Sequence, residues 1–125
     1  MTWLRRSLAA IVGAVALTVV PGALAKEGDV LVRGTCTGPS SAKLKLSPEN
    51  GRIEVEFEVD QNRVGQRWRV VLRQNGTVVR RLVRATRGPS GSFEARIVVR
   101  NRPGADRFVA TATRPGERCR ANGRF

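Results

Sequence analysis

The stretch RIEVEFEVD at positions 52–60 alternates apolar and charged side chains without a break. Successive side chains of a β-strand point to opposite faces of the sheet, so one face of this stretch would be apolar and the other charged. The residues of the apolar face are Ile53, Val55, Phe57 and Val59. The stretch therefore predicts a half-buried β-strand that covers a core.

The same alternation recurs on both sides of this strand. Shorter or longer versions occupy positions 42–46, 67–73, 93–100, 108–113 and 118–125. Turn-forming residues separate them, and Asn75-Gly76 is the strongest of these signals, because a two-residue type I′ turn needs positive φ at both central positions. We expect a hairpin that joins Gln66–Gln74 to Thr77–Thr86. A first strand is expected near Val30–Cys36.

These segments predict an all-β domain over residues 26–125, with seven or eight short strands. Spacing of about 8–12 residues between turn signals is typical of sandwiches and barrels. We expect a single antiparallel two-sheet sandwich, of the immunoglobulin-like or fibronectin III-like type. A small antiparallel β-barrel is the alternative.

The first 25 residues have the features of a cleavable secretory signal peptide. Arg5 and Arg6 precede the apolar run Leu8–Val20, which is shorter than the ~20 residues of a membrane-spanning helix. Ala23-Leu24-Ala25 then provides small residues at the positions that a signal peptidase reads. We predict a signal-peptide helix, cleavage after Ala25, and a secreted mature chain that is extracellular or associated with the cell envelope. Stable membrane insertion of the mature chain is not expected.

Twin-arginine export remains open as the export route, whereas a lipoprotein is disfavoured. The pair Arg5-Arg6 is compatible with twin-arginine export as well as with general secretion. A lipoprotein would need a cysteine at the cleavage point, whereas the first cysteine is Cys36, which follows the polar Arg33-Gly34-Thr35. The remaining alternatives are a retained membrane anchor and a buried apolar helix of a cytosolic protein.

The chain contains two cysteines, Cys36 and Cys119, near the two ends of the predicted domain. An even pair in an exported protein is expected to form a disulfide. The alternation of the last segment also places Cys119 on an inward face. Two reduced thiols that bind a metal are disfavoured, since the cysteines are far apart in sequence and the chain has no histidine.

The segments IEVEFEVD (53–60), QRWRV (66–70), the Asn75-Gly76 turn and GPSGSF (88–93) resemble uncharacterised small secreted actinobacterial proteins with a β-sandwich domain. The resemblance covers essentially the whole mature chain. It implies export and a β fold, and it implies no particular activity.

The absence of histidine excludes Ser-His-Asp and Cys-His nucleophile systems and every His-ligated metal site. Glu54, Glu56 and Glu58 could in principle act as paired carboxylates, but we expect them to pair with Arg67, Arg69 and Arg73 of the next strand instead. No catalytic residue and no cofactor is predicted.

Residues Asp60–Gly65 resemble the beginning of an EF-hand calcium loop, with oxygens at positions 1 and 3 and glycine at position 6. Positions 5 and 12 are Val64 and Val71, where oxygen ligands are required. We therefore expect a polar turn in which Asp60 and Asn62 bond their own backbone, and no metal site.

The chain carries 23 Lys and Arg against 10 Asp and Glu, a net charge of +13. Such a field attracts anionic polymers, and arginine binds phosphate and carboxylate through two parallel hydrogen bonds. The candidate anion-binding residues surround the predicted hairpin: Arg63, Arg67, Arg69, Arg73, Arg80, Arg81, Arg84 and Arg87. Few aromatic residues accompany them, which disfavours specific nucleic-acid binding.

The sequence thus predicts a noncatalytic extracellular module with an Arg-rich face. Its expected partner is an anionic cell-envelope polymer or another extracellular protein. A secreted inhibitor that uses the exposed loop Arg87–Ser92 or Asn101–Asp106 is the alternative, and an enzyme that uses only carboxylates is a weaker one. Solubility alone is the other explanation of the positive charge.

Overall fold

The computed structural model describes residues 28–125, so the predicted signal peptide and the cleavage site after Ala25 lie outside the described residues. Every regular element in this range is a β-strand. The strands are β1 (Val30–Arg33), β2 (Thr35–Cys36), β3 (Ser41–Glu49), β4 (Arg52–Asp60), β5 (Arg67–Gln74), β6 (Thr77–Ala85), β7 (Ser92–Arg100), β8 (Arg107–Arg114) and β9 (Glu117–Arg124). Residues 28–125 contain no helix with the length and hydropathy of a membrane span.

The strands form two antiparallel sheets. Sheet A has the order β1-β3-β4-β7, and sheet B has the order β2-β9-β8-β5-β6. The inner faces of both sheets contribute to one core, as in a β-sandwich. The predicted all-β sandwich is therefore confirmed. The alternative of a small barrel is wrong, because the two sheets stay separate.

The structure has nine strands where seven or eight were predicted, because the chain changes sheets at Gly34. The segment expected as one strand is divided there into β1, which pairs with β3, and β2, which pairs with β9. Gly34 donates its backbone N–H to the Ala42 carbonyl at 2.8 Å. A Cβ at position 34 would lie 2.7 Å from the Arg120 carbonyl oxygen, so only glycine fits where the two sheets approach each other.

The core contains the apolar positions of the alternating segments. The completely or almost completely buried large side chains include Trp68, Phe57, Phe108, Leu44, Leu46, Ile53 and Leu72. All four apolar residues of the stretch at 52–60 are buried, while its glutamates lie on the outer face of sheet A. The period-two pattern thus identified the inward face correctly.

The predicted hairpin is confirmed, with β5 and β6 joined by Asn75-Gly76. Asn75 has a φ of 51° and Gly76 has a φ of 81°. These are the positive values that a type I′ turn requires. A register shift between Leu72 and Arg73 places a bulge in the hairpin.

The predicted disulfide is also confirmed. Cys36 of β2 lies directly opposite Cys119 of β9, so the bridge joins neighbouring strands of sheet B. The two cysteines are 83 positions apart in the sequence. The bridge therefore anchors the two-residue strand β2, near the start of the domain, to the strand that ends it.

Candidate anion-binding face

Four of the eight predicted anion-binding arginines lie together on the outer face of sheet B, which is turned away from the core. Arg67, Arg69 and Arg73 of β5 alternate with buried residues of the same strand. Arg81 of β6 lies opposite Val71, and so shares this face. Short connections on an antiparallel hairpin bring these four guanidinium groups onto one surface.

The other four predicted arginines are elsewhere. Arg80 and Arg84 lie opposite core residues of β5, and so project from the other side of β6, where they stay exposed because β6 is an edge strand. Arg63 and Arg87 belong to exposed loops. The hairpin therefore does not gather all eight side chains on a single face.

Four arginines that sequence reasoning did not include complete the outer face of sheet B. Arg107 begins β8, and Arg118, Arg120 and Arg124 occupy the outward positions of β9. The signal for the β9 residues was present, since they alternate with the inward Cys119 and its neighbours. What the sequence did not reveal was that β8 lies beside β5 and brings β9 into the same sheet. The eight arginines Arg67, Arg69, Arg73, Arg81, Arg107, Arg118, Arg120 and Arg124 are called the cationic face below.

A trough of short side chains runs along the middle of the cationic face. β8 presents Val109, Thr111 and Thr113 on this side of the sheet, between β9 and β5. Strands of a sheet are about 4.8 Å apart, so the arginines on either side of β8 stand roughly 10 Å from each other. The flanking arginines are Arg118 and Arg120 on β9 and Arg69 and Arg73 on β5.

No acidic side chain of residues 28–125 lies on the cationic face. The two carboxylates in sheet B and its adjoining loop, Asp106 and Glu117, are buried. Glu117 accepts hydrogen bonds from the backbone N–H and the hydroxyl of Ser40, at 3.0 and 2.7 Å. Within the described part of the chain, none of the eight arginines forms an ion pair with a carboxylate.

The outer face of sheet A, by contrast, has balanced charges. Glu58 pairs with Lys43 at 3.6 Å and Glu56 with Lys45 at 3.0 Å, both across the β3–β4 hairpin. Glu54 pairs with Arg96 of β7, at an N–O distance of 2.5 Å. Each glutamate of the alternating stretch thus has a cation beside it.

The predicted ladder between these glutamates and Arg67, Arg69 and Arg73 is therefore wrong. The connection after Asp60 crosses from sheet A to sheet B instead of forming a hairpin. As a result β4 and β5 point their charged side chains to opposite sides of the sandwich. The acidic strand cannot neutralise the cationic face.

The ion pairs of sheet A shift the pKa values of their members. The hydrogen bond from Arg96 lowers the pKa of Glu54 and raises that of the guanidinium. Burial raises the pKa of Glu56 and outweighs its hydrogen bond with Lys45, while the same bond raises the pKa of Lys45. We interpret these pKa shifts as the result of a structural network of ion pairs on the outer face of sheet A.

A cleft of about 540 Å³ opens at one end of the trough. The pairing of β5 with β8 ends at Arg69 and Thr113, beyond which β8 leads into the turn at Pro115. The two strands therefore leave a notch at the edge of the cationic face. Its lining residues are Arg67, Trp68, Arg69, Val83, Thr113, Arg114 and Pro115.

A wider groove of about 950 Å³ runs along the open edge of the sandwich, between β6 and the start of β7. Arg84 and Arg87 line it together with Glu58 and Glu94. Because cations and carboxylates alternate around this groove, it lacks the single sign of charge that the cationic face has. Three of the predicted anion-binding residues line this mixed groove: Arg84, Arg87 and also Arg67, which belongs to the cationic face as well.

The candidate metal positions have structural roles. The Asp60 carboxylate accepts a hydrogen bond from the Asn62 backbone N–H at 3.0 Å, which is the predicted polar turn. The sulfur atoms of Cys36 and Cys119 lie near a Glu117 oxygen, within 4.8 Å, but the two sulfurs are bonded to each other. As a disulfide they are not available as thiolate ligands.

The chain matches no protein family, no curated protein and no solved structure with which it was compared.

Proposed function

We propose that the protein is exported and that its β-sandwich is a noncatalytic module that binds an anionic polymer of the cell envelope. The binding surface in this proposal is the cationic face. The polymer lies along the trough over β8, and its negative groups meet the arginines of β5 and β9.

One observation carries the proposal: eight arginines share one sheet face with no carboxylate among them. Randomly placed surface charges would mix the two signs, as they do on the outer face of sheet A. Arginines at alternate positions of a strand recur about every 7 Å, so an extended polyanion would meet several of them at once. Each contact would release counterions, which makes binding strong in dilute salt.

The disulfide supports an oxidising environment outside the cytosol. Bridges such as Cys36–Cys119 persist in secreted proteins and are rare where glutathione and thioredoxin keep thiols reduced. The signal-like segment at residues 1–25 predicts the same destination independently. Both features agree with delivery of the cationic face to the envelope.

The strand order supports an immunoglobulin-like type of sandwich. If β3, β4, β5, β7, β8 and β9 are taken as strands A, B, C, E, F and G, the sheets become A-B-E and G-F-C. Strand D of a constant-type immunoglobulin domain is missing, and β6, next to β5, occupies the place of strand C′, which variable-type domains add to the G-F-C sheet. The disulfide departs from the antibody pattern, in which the bridge joins strands B and F across the two sheets.

A salt-dependence experiment tests the proposed function. Immobilised polygalacturonate and poly(glycerol phosphate) serve as polyanions, and the protein is eluted with a salt gradient. The triple variant Arg73→Gln, Arg81→Gln, Arg120→Gln removes three charges from the cationic face. We expect it to elute at lower salt, with a salt-dependence slope reduced by up to about three.

The matched control removes three charges from sheet A through Arg33→Gln, Arg52→Gln and Arg100→Gln. These residues are exposed and lie on the opposite side of the sandwich. Its elution should stay close to that of the unmodified protein. Equal effects of the two triple variants, or no retention of the unmodified protein at low salt, would refute the proposal.

A secreted inhibitor remains the second candidate, because the exposed loop after β7 is held firmly at its base. The buried Asp106 accepts hydrogen bonds from the Asn75 side chain at 2.9 Å and from the Arg102 backbone at 3.0 Å. Rigid loops lose little entropy on binding. An inhibitor would bind one protein in a fixed ratio and would stay bound in high salt.

A further inference from the structure

We propose that the free edge of β6 binds an extended acidic segment of a partner protein, which adds to sheet B as a further strand. This inference goes beyond the proposed function, because it concerns the edge of the sheet and not its outer face. The backbone of the added strand would pair with β6, and its carboxylates would meet the arginines of β6.

The pairing of β6 with β5 determines which backbone groups of β6 are free. β6 is the last strand of sheet B, and within the described residues β5 is its strand partner. Thr86, directly after β6, donates its backbone N–H to the Gln66 carbonyl at 2.8 Å. In antiparallel pairing every second residue faces the same neighbour, so Leu82 and Arg84 also direct their backbone groups to β5.

The residues between and beside them, Arg81, Val83 and Ala85, direct their N–H and C=O groups to the open side. Within residues 28–125, these groups form one hydrogen bond, which the Val83 carbonyl accepts from the Arg84 side chain at 3.2 Å. Unpaired groups in such a row are a template for another strand.

The sandwich leaves room for a strand on this side. The groove of about 950 Å³ follows the edge, and Val83, Arg84 and Ala85 are among its lining residues. At the opposite edge the chain passes from β1 to β2 at Gly34 and so contributes to both sheets. The open side instead has two nine-residue edges, β6 and β7.

The charges of β6 favour an acidic partner. Arg80, Arg81 and Arg84 are exposed, and β6 contains no carboxylate. None of the three forms an ion pair with a carboxylate of the described residues. The edge strand β7 has both signs, with Glu94 and Arg96. Opposite charges on neighbouring strands stabilise a sheet, so an acidic strand gains most beside β6.

The same arginines disfavour a second copy of this chain as the occupant. Pairing of two β6 strands would bring three arginines of each copy together without a carboxylate, and like charges on adjacent strands are destabilising. Leu82 and Val83 lie between the arginines, and Val83 is 47% exposed. The expected partner segment therefore has two apolar residues with acidic residues on both sides.

The test uses the peptide Thr-Glu-Glu-Val-Val-Glu-Glu-Thr with blocked ends. Its sequence is the same in both directions, so it suits parallel and antiparallel addition. A control peptide has N-methyl groups on all residues except the two threonines, and it keeps the carboxylates but lacks the backbone donors. We expect the control to bind at least about tenfold more weakly, as measured by fluorescence anisotropy of labelled peptides.

Hydrogen exchange followed by NMR shows where the peptide lies. The amides of Arg81, Val83 and Ala85 should exchange more slowly in the complex, because they gain acceptors. The amides of Leu82 and Arg84 should change less, since they already face β5.

A pair of variants tests the charges. Arg80→Gln with Arg84→Gln should weaken peptide binding about tenfold. Arg33→Gln with Arg52→Gln makes the same charge change at exposed positions of sheet A, and it should weaken binding no more than about twofold. Urea unfolding of both variants shows that the domain is intact.

Three results would overturn the inference. Equal binding of the two peptides would mean that side-chain attraction alone holds them. Unchanged exchange at Arg81, Val83 and Ala85 would place the peptide elsewhere. A dimer of the unmodified protein that protects these amides would make a second copy the occupant. Each result leaves the proposed function standing, because retention on the polyanion columns is measured separately.

Discussion

The buried carboxylate of Asp106 shows how one residue organises an end of the sandwich. Besides Asn75 and Arg102, it accepts a hydrogen bond from the buried amide of Gln74 at 3.1 Å. Its backbone also exchanges two hydrogen bonds with Phe125. The loop after β7 and the β5–β6 turn therefore depend on the Asp106 side chain, and the last residue is held by the backbone of the same residue.

We expect Asp106→Ala to lower the free energy of unfolding by about 3 kcal/mol, because three donors would lose their acceptor. Urea unfolding followed by circular dichroism measures the change. Asp106→Asn retains an oxygen acceptor and serves as the control, with a smaller loss. A loss below about 1 kcal/mol in Asp106→Ala would mean that water replaces the carboxylate easily.

The two neighbouring glutamates of β4 should respond to pH in opposite directions. The pKa of Glu54 is lowered from its ordinary value of 4.5, so its stabilising effect is present above that value and is lost as pH falls through the folded-state pKa. The pKa of Glu56 is raised, so its ionisation opposes folding as pH rises through the folded-state value.

Measured against the unmodified protein, Glu54→Gln should become less stable between acid and neutral pH, and Glu56→Gln should become more stable over the same range. Urea unfolding of the three proteins at several pH values checks this. Parallel pH curves for both variants would show that the Arg96 and Lys45 contacts do not persist in solution.

At the scale of elements, the alternation of side chains predicted most strands but not their neighbours. The Asn75-Gly76 turn has a specific backbone geometry, and the hairpin that it predicts is present. The segment between Asp60 and Gln66 has no comparable signal, and there the chain crosses to the other sheet. Strand partners depend on such crossings, which is why half of the cationic face was predicted and the arginines of β8 and β9 were missed.

The shortest strand should depend strongly on its covalent link. β2 has only two residues, and Cys36 ties it to β9. Closure of a loop with a sequence separation of 83 stabilises by about 4–5 kcal/mol in the chain-entropy treatment. We expect Cys36→Ser with Cys119→Ser to lower the unfolding free energy by about this amount, as measured by urea unfolding.

The reduced form of the unmodified protein is the control for this prediction. It should unfold at nearly the same urea concentration as the double variant, since both lack the cross-link. A double variant that is as stable as the oxidised protein would show that β2 is held mainly by its hydrogen bonds with β9.

The stability of the domain should also be sensitive to substitution of Gly34, where the chain changes sheets. A methyl group there would meet the Arg120 carbonyl oxygen and the Ala42 side chain. We therefore expect Gly34→Ala to lower the unfolding free energy by about 1–3 kcal/mol, through displacement of β1 or β2. Gly76→Ala is a useful comparison, because a Cβ at that position meets no atom within 4 Å and only the positive φ is unfavourable.

At the scale of the whole molecule, charge is distributed unequally between the two outer faces. Sheet A carries paired cations and carboxylates, while sheet B carries the cationic face. The composition gave the net charge of +13, but it could not say that the excess is concentrated on one side. That asymmetry required the sheet order, which places β5, β8 and β9 next to one another.

The balanced outer face of sheet A has a consequence for how the protein would behave on a surface. A protein with cations all round would join neighbouring polyanion chains and precipitate them. A sandwich that adheres by one side and presents a nearly neutral side would instead form a single coating layer. We expect mixtures with polygalacturonate to stay clear at charge equivalence, whereas turbidity there would mean that adhesion is not confined to one side.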